Sequence, residues 1–303
     1  MLEPSPRDGV LTTVHSPRGS YEIDKEIAVG AHSTVFLAKS LTTMSTMSIS
    51  NKQVDISTSA PNIVALKRLD KRKMKEDTYA MCSKEVEYLA RLKHPGIVLL
   101  HESFIDGPYL CIVLDYYVGG DLLTLVNSGG SIVERRAKHY TKQLAMALKY
   151  AHNSGVVHRD IKLENILLDE SHETVVLCDW GFATTYREGR RQKGAVGSPH
   201  YASPEVHRGV AYEGPEVDSW SLGVVIYAIT TGSLPWRFPG MLSRETPLSS
   251  QKELILHASY CTPSGMNKDL VDLIANLLTL NQLARFTMQQ ILEHAWVQEA
   301  YMH

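Results

Sequence analysis

The sequence has few cysteines, little net charge and no long apolar run. Its four cysteines, Cys82, Cys111, Cys178 and Cys261, lie far apart, so neither a disulfide framework nor a zinc site is indicated. The net charge of -2 gives no general electrostatic case for binding nucleic acid or a membrane surface. The longest apolar run, around residues 222–230, is too short to span a bilayer. We therefore expect a reducing cytoplasmic or nuclear setting, no nucleic-acid partner and no membrane span.

The composition is that of a folded protein. The chain has 303 residues, of which 44% are hydrophobic and 21% charged, and this suits one large or two medium lobes with a full core. Residues 1–20 are rich in proline, serine, threonine and glycine, which predicts a flexible leader. Ser5-Pro6 and Ser16-Pro17 fit proline-directed phosphorylation, although an unmodified leader is the simpler interpretation.

One stretch carries most of the candidate chemistry. Residues 156–168 read Val-Val-His-Arg-Asp-Ile-Lys-Leu-Glu-Asn-Ile-Leu-Leu, which predicts a polar loop between two short buried strands. Asp160 is placed to accept a hydroxyl proton, Lys162 to neutralise a phosphoryl group, and Asn165 to offer an amide oxygen to a divalent cation. A second carboxylate, Asp179, follows in Leu-Cys-Asp-Trp-Gly. An ordinary buried polar loop explains any one of these residues, but the full set at this spacing favours a catalytic loop.

These two motifs resemble the catalytic and metal-binding loops of eukaryotic protein kinases, in a style near that of calcium/calmodulin-dependent-like and SNF1-related serine/threonine kinases. The resemblance implies an α+β, two-lobed fold over residues 21–298: a small β-rich N-lobe with one main helix (21–114), a hinge (115–120), a larger helical C-lobe (121–298) and a tail (299–303). It implies transfer of the ATP γ-phosphate to protein Ser/Thr hydroxyls, with Mg²⁺ held by Asn165 and Asp179. Protein substrates are the implied partners, and regulatory proteins are left open.

Two strand-like runs joined by a turn at Gly30 resemble the kinase hairpin that covers the nucleotide. Ile27 and Val35 match the apolar positions that sandwich the adenine ring. Ala28 and Ser33 replace two of the three glycines that let backbone amides approach phosphates. This departure motivates the alternative of a pseudokinase scaffold with weak or no ATP turnover.

Residues 39–62 are rich in Ser, Thr and Met without periodicity, and they predict a long β-hairpin loop. Compared with the kinase family this loop is an insertion. A neutral surface insertion is favoured over a docking role.

The strand Ile63–Lys67 ends in a lysine that resembles the kinase lysine on the α- and β-phosphates, and Ala65 in it matches a nucleotide contact. A following amphipathic helix carries Glu85, the implied ion-pair partner of Lys67, with Glu87 as the alternative.

The apolar strand Tyr109–Leu114 leads into a looser connector that resembles the kinase hinge. By resemblance, Leu114 guards the back of the adenine pocket, and backbone groups of Asp115 and Tyr117 bind the base. Asp121 is placed to meet ribose or a basic substrate residue, although a helix N-cap explains it nearly as well.

The segment after Asp179, which ends in Ser203-Pro204-Glu205, resembles the activation segment of the family. Ser198 matches the residue whose hydroxyl bridges the catalytic aspartate and lysine, which implies a Ser/Thr acceptor. The resemblance further implies that Asp218 holds the catalytic-loop backbone and that Arg285 pairs with Glu205.

Gly194 stands where many relatives carry an activating threonine, so Arg159 loses the phosphate that it would pair with. Thr184, Thr185, Tyr186 or a nearby acid are the alternative partners. We therefore expect a kinase that depends less on loop phosphorylation. Glu164 and Asp121 resemble acids that read upstream arginine, which predicts a modest preference for Arg two or three residues before the acceptor.

Overall fold

The structure is a computed structural model and describes residues 12–30, 33–41, 63–194, 196–236 and 248–298. The described residues group into two units, the first within Met1–Val86 and Leu99–Tyr116, the second within Glu87–Val98 and Tyr117–His303. Most of the predicted insertion, residues 42–62, and the tail, residues 299–303, lie outside the described residues. Residues 87–98 group with the second unit, which differs from the predicted single division at the hinge.

The first unit is built on one antiparallel six-stranded sheet with the strand order β1-β2-β3-β4-β6-β5. Its strands are β1 (Thr12–Ser16), β2 (Gly19–Val29), β3 (Ser33–Ser40), β4 (Ile63–Asp70), β5 (Leu100–Asp106) and β6 (Tyr109–Asp115). Tyr21, Ile23, Leu66, Phe104 and Val113 pack together inside it. Alternating or continuous apolar residues form these strands because their side chains fill this core. Helix α1 spans Glu76–Arg91.

The prediction of a flexible leader through residue 20 is wrong for residues 12–20. Thr12–Ser16 forms β1, which pairs antiparallel with β2 through Thr12↔Ile23, Val14↔Tyr21 and Ser16↔Gly19. Val14 is buried in the sheet core. Proline and glycine in this segment mark the turn between two strands rather than a loose tail.

The second unit is mainly helical. Its helices are α2 (Leu122–Gly129), α3 (Glu134–Asn153), α4 (Pro204–Arg208), α5 (Pro215–Thr231), α6 (Leu248–Leu256), α7 (Lys268–Leu277), α8 (Met288–Glu293) and α9 (Ala295–Gln298). Helix α5 is buried from Val217 to Ile229, so it is the centre on which α3 and α7 pack. His294 adopts an extended conformation that separates α8 from α9.

Four short strands of the second unit position the loops described below. They are β7 (Val156–Val157), β8 (Ile166–Leu168), β9 (Val175–Leu177) and β10 (Thr184–Thr185). β8 pairs with β9, and β7 pairs with β10, both antiparallel. Within the described ranges, every helix is too short or too polar to cross a bilayer.

Candidate active site

The catalytic loop lies between two fixed pieces of chain, as the buried strands on either side of it predicted. Ile166 on β8 pairs with Leu177 on β9, and the backbone N–H of Cys178 donates to the carbonyl of Asn165 at 3.0 Å. This pairing brings Asn165 and Asp179, far apart in sequence, to the same end of one hairpin. Asp179 has a left-handed backbone with φ of 56°, a strained conformation that is common at functional positions.

Asp160 is the centre of a polar cluster. Its side chain is almost fully buried, and Lys162 Nζ lies 2.9 Å from Asp160 Oδ2. The Asn165 amide nitrogen donates to the Asp160 carbonyl at 2.8 Å and to Oδ2 at 3.1 Å. The carboxylate is thus held in one orientation by fixed donors, which suits a group that must meet an incoming hydroxyl.

Ser198 joins this cluster differently from the prediction. Its hydroxyl accepts from Lys162 Nζ at 2.9 Å, but its contact with Asp160 is made by the backbone N–H, which donates to Oδ1 at 2.8 Å. Gly197 makes the approach possible, because a Cβ at that position would collide with the carbonyl oxygen of Arg159 and its φ is +90°.

Asp218 holds the backbone of the catalytic loop, as predicted. Its carboxylate accepts the backbone N–H groups of His158 at 3.0 Å and Arg159 at 2.8 Å, and the His152 ring at 2.8 Å. Burial raises the pKa of Asp218, but the hydrogen bond from His152 and the neighbouring donors lower it below the usual range overall. Sequence reasoning missed His152, because its partner lies 66 residues away and no local pattern marks the contact.

Asn165 and Asp179 fit the ligands that Mg²⁺ prefers, which are carboxylate and amide oxygens. The Asn165 amide nitrogen is directed at Asp160, so its amide oxygen is the atom left for a cation. Among the described residues, no group of three or more His, Cys, Asp or Glu side chains forms a metal cluster. Two protein oxygens match a Mg²⁺ ion that takes its other ligands from substrate phosphates and water.

The predicted ion pair is present in the first unit. Lys67 Nζ on β4 donates to both carboxylate oxygens of Glu85 on α1, at 3.0 and 2.7 Å. The Glu85 side chain is 1% exposed and that of Lys67 11% exposed. The structure thereby selects Glu85 over Glu87 as the partner. A buried, two-point pair fixes the direction of the lysine head.

The predicted nucleotide contacts on the sheet share one face. Val35 on β3 pairs with Lys67 on β4, and Ala65 on β4 pairs with Leu114 on β6. Paired residues, and residues two apart on a strand, point to the same side of a sheet. Ile27 lies at a β-bulge between Glu26 and Ala28, and so it leaves this regular register.

The predicted turn is closed at Gly30, whose backbone N–H donates to the carbonyl of Ser33 at 2.7 Å; residues 31–32 lie outside the described chain.

The predicted residues in and next to the hinge are divided between the two units: Asp115 lies in the first unit, and Tyr117 and Asp121 lie in the second. Asp115 ends β6, where its carboxylate contacts His101 Nε2 at 2.6 Å and its backbone N–H donates to Leu99. In the second unit, the Tyr117 carbonyl accepts from Gly120 at 3.4 Å. Asp121 is the N-cap of α2 and accepts from the Thr124 N–H at 2.7 Å, so the helix-cap alternative is the one that the structure forms.

Comparison with known proteins decides the family. The protein kinase domain family matches residues 21–297 of the chain. The chain belongs to the protein kinase family. NUAK family SNF1-like kinase 2 of Rattus norvegicus is 38% identical over 244 residues, which cover 80% of this chain and 37% of the relative. Serine/threonine-protein kinase SIK1 of Mus musculus is 32% identical over 280 residues, which cover 92% of this chain and 33% of the relative.

These relatives confirm the resemblance to SNF1-related serine/threonine kinases and the α+β kinase fold. Protein kinases of this family use ATP with Mg²⁺, which are the predicted cofactors. Nothing in the relatives' names favours the pseudokinase alternative. This kinase chain spans about a third of the length of the curated relatives that it matches.

The kinase activation segment is held to the catalytic loop without a phosphate. Arg159 Nε donates to the Phe182 carbonyl at 2.9 Å, and its Nη1 donates to the hydroxyl of the buried Tyr212 at 3.4 Å. The Tyr212 hydroxyl in turn donates to the Gly194 carbonyl at 3.4 Å. The backbones of Gln192 and Tyr212 also pair, at 2.7 and 3.1 Å. Tyr212 was absent from the predicted partners of Arg159, because it lies 53 residues along the chain.

Trp180 anchors the start of this segment. Its ring is fully buried and meets the His158 ring edge-on at 4.6 Å between centroids. An aromatic pair of this geometry stabilises the segment beyond simple burial. The buried Trp180 ring thus fixes the position that follows Asp179.

Proposed function

We propose that this chain is an active serine/threonine protein kinase that transfers the ATP γ-phosphate to protein hydroxyls. The observation that carries the proposal is the cluster in which Asp160 is oriented by Lys162, Asn165 and the Ser198 backbone. A chain without catalysis has no chemical need to keep these contacts together with the Lys67–Glu85 pair. We also propose a cytoplasmic or nuclear location, supported by the absence of paired cysteine spacing in the sequence.

The chemistry follows from the positions of the side chains. The Asp160 carboxylate orients the substrate hydroxyl and accepts its proton as the oxygen attacks the γ-phosphorus, while ADP leaves. Lys162 stabilises charge on the transferring group, and Lys67 positions the α- and β-phosphates. Asn165 and Asp179 would hold Mg²⁺, which would neutralise phosphate charge.

The acceptor class is tested with three peptides that differ only in a central Ser, Thr or Tyr. The Lys162–Ser198 contact supports transfer to Ser and Thr, so we expect the Tyr peptide to be phosphorylated at a small fraction of their rate. Equal transfer to Tyr would overturn the acceptor assignment without overturning the kinase activity. The same assay with Asp160→Asn shows whether the signal belongs to this enzyme.

Upstream arginine is expected to improve peptide substrates modestly. Glu164 is exposed beside Leu163 in the catalytic loop, where its charge is available to a guanidinium. A peptide array that varies the positions two and three before the acceptor measures the preference. We expect about two- to fivefold higher kcat/KM with Arg, as one exposed charge pair supplies about 1 kcal/mol or less, and a reduced gain in Glu164→Gln. An array with no preference would contradict this prediction.

Activity is expected to persist without phosphorylation of the activation segment. Arg159 already has the Phe182 carbonyl and the Tyr212 hydroxyl as acceptors, so two of its N–H donors are hydrogen-bonded without a phosphate. Protein expressed in bacteria and treated with a phosphatase should keep close to its full rate. Near-complete loss of activity after dephosphorylation would refute the prediction.

A matched pair of variants tests whether the Tyr212 hydroxyl supports activity in the unphosphorylated protein. Tyr212→Phe removes only the hydroxyl and with it the hydrogen bonds to Arg159 and Gly194. We expect a rate lower by about twofold to tenfold or more, since each lost bond costs about 0.5–1.5 kcal/mol. Thr185→Ala, at an exposed position on β10, should leave the dephosphorylated rate unchanged.

A further inference from the structure

Next to the turn between β1 and β2, the hydroxyl of Ser16 is hydrogen-bonded to a residue of β5. Ser16, the last residue of β1, donates from Oγ to Glu102 Oε1 on β5 at 2.7 Å. The same oxygen accepts the backbone N–H groups of Arg18 and Gly19, each at 3.1 Å. Pro17 and Arg18 are exposed, whereas Ser16 is half-buried. A proline-directed recognition sequence, Ser-Pro-Arg, therefore sits on the surface with its acceptor hydroxyl turned inward.

The partner of this hydroxyl is a buried acid. Glu102 is only 8% exposed, and its Oε1 also accepts the Tyr21 hydroxyl at 2.6 Å. Burial and then the hydrogen bond to Glu102 raise the pKa of Tyr21, so the Tyr21 hydroxyl remains a protonated donor. The carboxylate depends on these two donors for its solvation, because a buried charge without hydrogen bonds is costly.

We propose that Ser16 is a phosphorylation site for a proline-directed protein kinase, and that its modification releases β1 from the sheet. In the reaction, Ser16 Oγ forms a bond to the γ-phosphorus of ATP. The bond from phosphorus to the bridging oxygen of ADP breaks, and the hydroxyl proton passes to the base of the modifying kinase. This inference does not depend on the catalytic activity proposed for the chain itself.

The phosphate conflicts with the folded position of the turn. It removes the proton that Ser16 donates to Glu102 and adds a charge of about −1.5 to −2 next to that carboxylate. The N–H groups of Arg18 and Gly19 can still bind the phosphate, but they belong to the turn and move away with it. Glu102 belongs to β5, which stays in the sheet, so its carboxylate does not move with the turn.

β1 is an edge strand of the sheet. Among the described strands it is hydrogen-bonded in a ladder to β2 alone, so its departure breaks one ladder together with its packing contacts on β5. Edge strands open locally more readily than central strands, which gives the modifying kinase access to Ser16. Release uncovers Tyr21 and Phe104, whose rings stack at 6.3 Å beneath Val14 in the sheet core.

The test uses the full chain carrying Asp160→Asn, so that only an added proline-directed kinase with Mg²⁺ and ATP can modify it. Peptide mapping by mass spectrometry locates the phosphate, and Pro17→Ala is the recognition control. We expect a phosphate at Ser16 that is absent in Pro17→Ala. Hydrogen exchange in residues 12–23 should then quicken about tenfold or more, and the Tm should fall by about 3 °C or more.

A second variant tests whether the Glu102 carboxylate is what makes the phosphate release β1. In Glu102→Gln the side-chain amide can donate to a phosphate, so phosphorylation at Ser16 should change exchange and Tm by less than about half as much. The proposal is overturned if Ser16 is not modified, if modification leaves exchange unchanged, or if it slows exchange because Arg18 tightens the turn. Equal effects of the phosphate with and without the Glu102→Gln substitution would also overturn it.

Discussion

Replacing Asp160 with asparagine is expected to slow phosphate transfer about 10²–10³-fold. Asparagine has nearly the same shape, and its amide oxygen can still accept the Ser198 N–H, so the loop backbone should keep its conformation. Its NH₂ group cannot accept from Lys162 and Asn165 as Oδ2 does. What is lost is the carboxylate that orients the substrate hydroxyl and takes its proton. Because this group acts on the acceptor side, the KM for ATP should change little.

Steady-state kinetics with a serine peptide, beside thermal unfolding, checks this prediction. The matched control is Glu170→Gln, which makes the same change from carboxylate to amide at an exposed position shortly after the catalytic loop. The control should keep the wild-type rate, and both variants should unfold near the wild-type Tm. A rate for Asp160→Asn within about threefold of the control would contradict the role of Asp160.

Of the proposed substitutions, Arg285→Leu should lower the free energy of unfolding the most. Arg285 Nη1 lies 2.7 Å from Glu205 Oε1, with side chains 0% and 6% exposed, and it also donates to the carbonyls of Glu216 and Thr279. Removing one partner of a buried ion pair leaves the other charge uncompensated, at a cost of about 3–5 kcal/mol. In a unit of this size that lowers the Tm by about 6–20 °C.

The control is Arg136→Leu, which makes the same substitution in an exposed pair with Glu173 at 3.6 Å. Exposed pairs contribute about 0–1 kcal/mol, so this variant should unfold close to the wild type. The double variant Arg285→Leu with Glu205→Leu should be less unstable than the sum of the single changes, since no buried charge is left alone. Similar Tm values for Arg285→Leu and Arg136→Leu would show that the buried pair is not a major support.

The catalytic loop was predictable because its chemistry depends on local spacing. Asp160, Lys162 and Asn165 lie within six residues, and the strands that hold them are continuous apolar runs. The predicted roles of these site residues await the experiments proposed above.

The strand β1 could not be predicted, because what orders it lies elsewhere in the chain. The five residues of β1, which are followed by Pro17, resemble part of a leader, and their pairing is stabilised by Glu102, 86 residues from Ser16. The same limit applies to Tyr212, whose contact with Arg159 spans 53 residues. Local patterns identify elements and motifs, whereas single hydrogen bonds between distant residues leave no periodic signal.

Transfer of radiolabelled γ-phosphate from Mg²⁺·ATP to a serine peptide by the purified wild-type chain tests the central claim most directly. An enzyme built on Lys67, Asp160, Asn165 and Asp179 should give transfer that is linear in time and in enzyme, and that stops when EDTA removes Mg²⁺. No transfer by the wild type, together with no rise in Tm on adding Mg²⁺·ATP, would contradict the claim and leave a pseudokinase scaffold.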